Sequence, residues 1–175
     1  MKRDHIDFQD RSTPLAYLIT IRTYGTWLHG DGRGSMDRRE YNIFGAATIA
    51  PSERAQERDR KLMKSMPYEM DARARSAVNT AIRGVCAHRA YSLFAANVRT
   101  THAHIVASAS DRPELMMNSF KAYSTRELRK MGLIDHGQKV WARHGSTRYL
   151  WTERHVGAAV EYVLYHQGGD LPAFD

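Results

Sequence analysis

The chain has 175 residues, 42% of them hydrophobic and 26% charged, which suits one domain over residues 1–175 and excludes a low-complexity or membrane-spanning protein. Lys and Arg number 26 against 19 Asp and Glu, a net charge of +7, so polyanions, and nucleic acid above all, are the expected partners and a membrane is not. The single cysteine, Cys86, excludes an intrachain disulfide and a multi-thiolate metal centre, and the opening MKRDHIDFQD lacks the apolar stretch of a secretory signal, so a cytoplasmic setting is expected.

In PLAYLITIRT (14–23), Tyr17, Ile19 and Ile21 alternate with Leu18, Thr20 and Arg22, the period of a strand. Gly25, Gly30, Gly32 and Gly34 with Asp31 then predict a loop that runs to about Pro67. Asp71 is placed to cap a helix whose apolar positions, Ala74, Ala77, Val78, Ala81, Ile82 and Val85, recur at helical spacing. YSLFAANVR and THAHIVASA, parted near Arg99 to Thr101, predict an antiparallel strand pair. A second helix follows, with Asp111 as N-cap, Pro113 in its first turn and a stop at Gly132. KVWARHGSTRYLWT reads as two short extended pieces around His144 and Gly145. ERHVGAAVEYVLYHQGG reads as a last helix, with an apolar stripe through Val156, Val160, Val163 and Leu164 and a stop at Gly168 and Gly169. The order β, α, β, β, α, β, α predicts an α+β, ferredoxin-like (RRM-like) sandwich, an antiparallel sheet with helices on one face and an added C-terminal helix.

Side chains two apart on a strand share a face, so His102 and His104 point one way while Ala103 and Ile105 point the other. Two neutral imidazoles on rigid backbone are a two-ligand metal geometry, although two unrelated strand histidines give the same bare pattern. On the last helix Tyr162 and His166 are four apart and lie on one face, with Gln167 next in sequence. A cation on the histidines would polarise a phosphate, and a tyrosine hydroxyl could attack it to give a phosphotyrosine. A packing tyrosine with a wet tip and a helix-end histidine facing the dipole are the plainer alternatives.

Lys121 and Arg126, with Tyr123, Ser124 and Thr125, could grip phosphates and stack a base; Tyr123 is also a rival nucleophile. Arg143, His144, Ser146 and Arg148 lie between Trp141, Tyr149 and Trp151, a mixture of polar groups and rings that suits single strands and hairpin ends. Arg33 sits among glycines whose amides could approach phosphate, without the lysine and spacing of a P-loop.

THAHIVAS, WARHGSTRYLW, AAVEYVLYHQG and LITIRTYGTWLHGDGRGS together resemble the single-tyrosine HUH transposases of small insertion sequences, in the branch close to the REP-associated tyrosine transposases of bacteria; the resemblance runs from about Leu18 to Gly168. It implies that His102 and His104 are the two HUH histidines and that Tyr162 is the nucleophile. It also implies that His166 or Gln167 completes a site for Mg²⁺ or Mn²⁺. The implied activity is single-stranded DNA cleavage and strand transfer through a 5′ phosphotyrosine, on single-stranded or hairpin DNA, by a monomer or a homodimer that exchanges the tyrosine helix. Thr101 stands where relatives commonly carry Asn. A hairpin-binding module without chemistry, and a metal-dependent hydrolase of small phosphoesters, are the competing readings.

Overall fold

The computed structural model describes residues 13–28, 30–32 and 51–168. Arg33 and Gly169 lie outside them. The elements run β1 (Ala16–Thr23), α1 (Glu53–Lys61), α2 (Ala72–Arg89), β2 (Ser92–Val98), β3 (His102–Ser108), α3 (Pro113–Lys130), β4 (Trp141–Leu150) and α4 (Glu153–Tyr165). The four strands form one antiparallel sheet in the order β2-β3-β1-β4. Each outer strand thus lies two places from the strand that leads into its helix, the split βαβ arrangement of a ferredoxin-like sandwich.

Alternation along the strands sorts the sheet into two unlike faces. Ile19 and Ile21 of β1 and Ile105 of β3 meet Val78 and Ile82 of α2 and Met116, Phe120 and Leu128 of α3 in the main core, all without solvent exposure. The opposite face carries a smaller core, in which Ala16, Ala95, Val106 and Leu150 pack against Ala159 and Val163 of α4. The last helix therefore closes the face that α2 and α3 leave open, which is the face of His102 and His104.

Four local expectations are corrected. The stretch read as loop to Pro67 contains α1, which buries no residue and so shows no apolar period in sequence; it is held by the Ser52 cap on Ala55 N and by a Glu57–Lys61 pair one turn apart. The two extended pieces around Gly145 are one ten-residue strand, β4, because pairing with β1 carries the chain through the glycine with a register shift between Ile21 and Thr23. A Cβ at position 145 would run into the Thr20 carbonyl and the Met117 sulfur, so glycine here permits close approach rather than a turn. The N-cap of α3 is Arg112, with no side-chain cap bond, since Asp111 instead accepts from the Tyr91 hydroxyl. On α4 the buried apolar positions are Ala159 and Val163, while Leu164 is exposed. The Asp71 cap on Ala74 N and the helix stop at Gly132, with φ at +66°, are as expected.

Candidate functional site

His102 and His104 lie on the α4 face of β3 with ring centroids 4.8 Å apart. Strand pairing lines up Asn97, His104, Thr20 and Ser146 in one row across all four strands, and directly opposed residues share a face. Arg22 is the cross-strand partner of His102, its guanidinium 3.7 Å from the centre of the Trp27 ring. The next row toward the other end of the sheet is Ala95, Val106, Leu18 and Arg148.

Both imidazoles are anchored through Nδ1. The His104 Nδ1 is 2.8 Å from Thr20 Oγ1 in a buried contact, and the His102 Nδ1 is 3.2 Å from Thr101 Oγ1. With Nδ1–H of His104 donating to Thr20, the Nε2 of that ring carries the lone pair a ligand would need, the usual way in which an outer partner selects a metal-binding tautomer. Thr101 thus offers its neighbour a hydroxyl oxygen. Its carbonyl accepts from both the amide and the hydroxyl of Thr23, which pins the turn to β1. Burial above all, with help from His102 and Arg22, pushes His104 down to about 4, so this ring is neutral near pH 7.

Tyr162 closes the site from α4. Its ring centroid is 5.5 Å from that of His104 of the same chain, nearly perpendicular to it, and the side chain is 42% exposed and so open to a substrate. The Asn97 amide donates to the Val163 carbonyl at 2.9 Å, tying the helix to the edge strand one residue from the tyrosine. Tyr162 and His104 form one end of an open cleft of about 460 Å³ that is also lined by Leu18, Thr20, Arg148, Leu150, His155, Ala158 and Ala159.

The third-ligand candidates are placed less decisively. His166 is the exposed C-cap of α4 and does not join the histidine pair; among the described residues no three His, Cys, Asp or Glu side chains are grouped to hold a metal. The Gln167 side chain donates through Nε2 to the Tyr162 carbonyl, which leaves Oε1 as its potential ligand atom. The end of α4 lies near the turn before His102, since a Cβ at Gly168 would be 3.7 Å from an Arg99 nitrogen. The donor set therefore fits a divalent cation to the extent of two imidazole nitrogens, with the other positions left to oxygen ligands.

The nucleic-acid candidates divide between the two faces. Ser146 and Arg148 share the face of the histidines. Arg143 and His144 are exposed at the other end of β4. Lys121 donates to the Ala142 and His144 carbonyls, so its ammonium steadies β4 beside the main core, and Arg126 lies over the Tyr123 ring at 4.6 Å. Tyr123 packs on the main core near His88, across the sheet from the histidines. Sequence reasoning passed over Thr20, Asn97, Arg22 and His155. Two signals were available: Thr20 and Arg22 are polar positions on one side of an otherwise apolar strand, and His155 is seven residues, two helical turns, before Tyr162.

No family model and no curated protein matches the chain. Among solved structures it is similar to a REP-associated tyrosine transposase bound to a REP hairpin, at 12% identity and a TM-score of 0.45 over 93% of this chain and 70% of that one. It is also similar to a candidate transposase from Deinococcus radiodurans, at 11% identity and a TM-score of 0.46 over 97% of this chain and 100% of that one. Neither likeness speaks to the residues of the cleft.

Proposed function

We propose that the protein is a metal-dependent single-stranded DNA endonuclease and strand transferase, a transposase of the single-tyrosine HUH kind, acting on hairpin-bearing DNA. The observation that carries the reading is the meeting of Tyr162 with His104 over the sheet, beside His102 and in an open cleft. Nothing in a packing role requires an exposed tyrosine, two histidines and a threonine–imidazole bond to share one place.

In the reaction, Tyr162 Oη attacks the scissile phosphorus. The Oη–P bond forms, the P–O3′ bond breaks, the phenolic proton passes to solvent and the departing O3′ takes one up. The chain is left with a 5′ phosphotyrosine and the DNA with a 3′ hydroxyl. Attack by a 3′ hydroxyl on the same phosphorus reverses the step and rejoins a strand, so the energy of the broken ester is retained and no nucleotide cofactor is required. His102 and His104, with Gln167 or His166, would hold Mg²⁺ or Mn²⁺, which when bound supplies Lewis-acid polarisation of the phosphoryl oxygens. Thr20 and Thr101 orient the two rings, and Asn97 holds α4 so that the phenol stays over the pair. Because Tyr162 and His104 meet within one chain, exchange of helices in a homodimer is not required for this contact.

The test is incubation of labelled hairpin oligonucleotides with the protein and Mg²⁺ or Mn²⁺, followed by denaturing electrophoresis. A denaturation-resistant adduct is expected with the wild type and none with Tyr162→Phe. No wild-type adduct, or an undiminished one in the variant, removes the assignment. A second reading, a hairpin-binding module without chemistry, is favoured by one observation, the failure of His166 to join the pair. Hairpin binding that ignores chelator and His102→Ala, with no cleavage, would select it.

A further inference from the structure

Arg22 brings a permanent positive charge to the histidine pair. It is registered directly against His102 and lies two residues along β1 from Thr20, the partner of His104 Nδ1. It therefore shares the face of both imidazoles, and directly opposed side chains leave the sheet only about 5 Å apart. β1 meets β4 through a register shift between Ile21 and Thr23, an irregularity that spans Arg22 and is of the kind that re-aims a side chain beside a site. Both Arg22 and Trp27 are half-buried, and the guanidinium sits 3.7 Å from the centre of the Trp27 ring. Stacking of this kind occupies the face of the guanidinium and fixes its plane, while the N–H groups stay along its edge. After burial and His102, the Arg22 charge is the next influence lowering the basicity of His104, so its field reaches the second ring as well.

A cation on His102 and His104 would repel this guanidinium, and like charges on opposed residues destabilise a sheet. An anion between the two turns that repulsion into attraction from both sides. We infer that Arg22 is a catalytic residue of strand cleavage, its N–H edge donating to a non-bridging oxygen of the scissile phosphate as negative charge builds on the five-coordinate phosphorus. The inference rests on the reading of Tyr162 as the nucleophile. A phosphodiester carries one negative charge, and attack by the phenol oxygen, with its proton passing to solvent, brings a second onto the phosphoryl oxygens. A planar fork of donors held in place beforehand meets that charge without reorganisation. Trp27 is the positioning residue, since it holds the plane of the fork.

The experiment follows adduct formation in a single turnover, with labelled hairpin oligonucleotide and saturating Mn²⁺, for the wild type, Arg22→Gln and Arg22→Lys. Hairpin affinity in chelator and Mn²⁺ affinity without DNA are measured on the same proteins. Arg22→Gln is expected to form adduct about 10²–10³-fold more slowly. It should keep its hairpin affinity, which is spread over many phosphate contacts, and bind Mn²⁺ at least as tightly as the wild type, because a like charge beside the ion is gone. Arg22→Lys, which keeps the charge without the planar fork, should fall between the two in rate. A wild-type rate in Arg22→Gln overturns the role. So does a fall in Mn²⁺ or hairpin affinity that matches the fall in rate, which marks a residue that only supports the structure of the site. If Arg22→Gln does not fold, Arg22→Lys decides on the same criteria. A wild type that gives no adduct overturns the transferase reading and this role with it, whereas adduct formed equally fast by wild type and Arg22→Gln overturns this role alone.

Discussion

Replacing Thr20 by Val tests whether the site depends on a selected histidine tautomer. The two side chains have nearly the same shape, so the neighbouring rows of the sheet keep their packing and the change is confined to the hydroxyl. Thr20 and His104 are each 8% exposed, and the bond between them is 2.8 Å. The variant therefore leaves a buried ring nitrogen without this partner, at a cost of about 1–3 kcal/mol. For a chain of this length that lowers the unfolding midpoint by roughly 2–12 °C. The functional effect has a different origin, because without the threonine neither the rotation of the ring nor the nitrogen that carries the proton is selected. Loss of such an outer partner weakens metal binding by about 10–100-fold. Thermal unfolding in chelator measures the first effect, and Mn²⁺ titration with adduct yield measures the second. Thr20→Ser, which restores the hydroxyl, should recover most of both. A valine variant that unfolds, binds Mn²⁺ and forms adduct like the wild type would refute the role given to this contact.

Acid should destabilise the metal-free protein through His104. Its folded value near 4 lies below the ordinary 6.5, so the unfolded chain binds the extra proton. This contribution to stability is present above pH 6.5 and is lost as the pH falls toward 4, by about 3 kcal/mol in all. Denaturant titrations across that range, set against the same series for His104→Gln, isolate it; parallel curves would contradict it. Gly145→Ala should cost about 1–3 kcal/mol, read from denaturant midpoints, because the new methyl meets the Thr20 carbonyl and Met117. Asn97→Ala removes the bond to the Val163 carbonyl and should cost about 1 kcal/mol. It should reduce adduct yield while hairpin affinity stays near that of the wild type, since α4 is held less firmly over the histidines.

What the sequence by itself determined is what depends on neighbours along the chain. The period of two in THAHIVAS placed His102 and His104 on one side and Ile105 on the other. The cap at Asp71 and the glycine at 132 bounded helices from within a turn of their own ends, and the spacing of the helical segments already implied the sandwich. Where no local signal existed the reading failed: α1 buries nothing and so has no apolar period, and Gly145 looks like a break until a partner strand carries the backbone through it. Tertiary structure alone decided what meets across distance in the chain. The row Asn97, His104, Thr20 and Ser146 is a product of strand register. The approach of Tyr162 to His104, and of neither Tyr123 nor His166, is a product of α4 docking on the face that α2 and α3 leave open. Spacing can say which way a side chain points, but only the packing of one element on another determines what it points at.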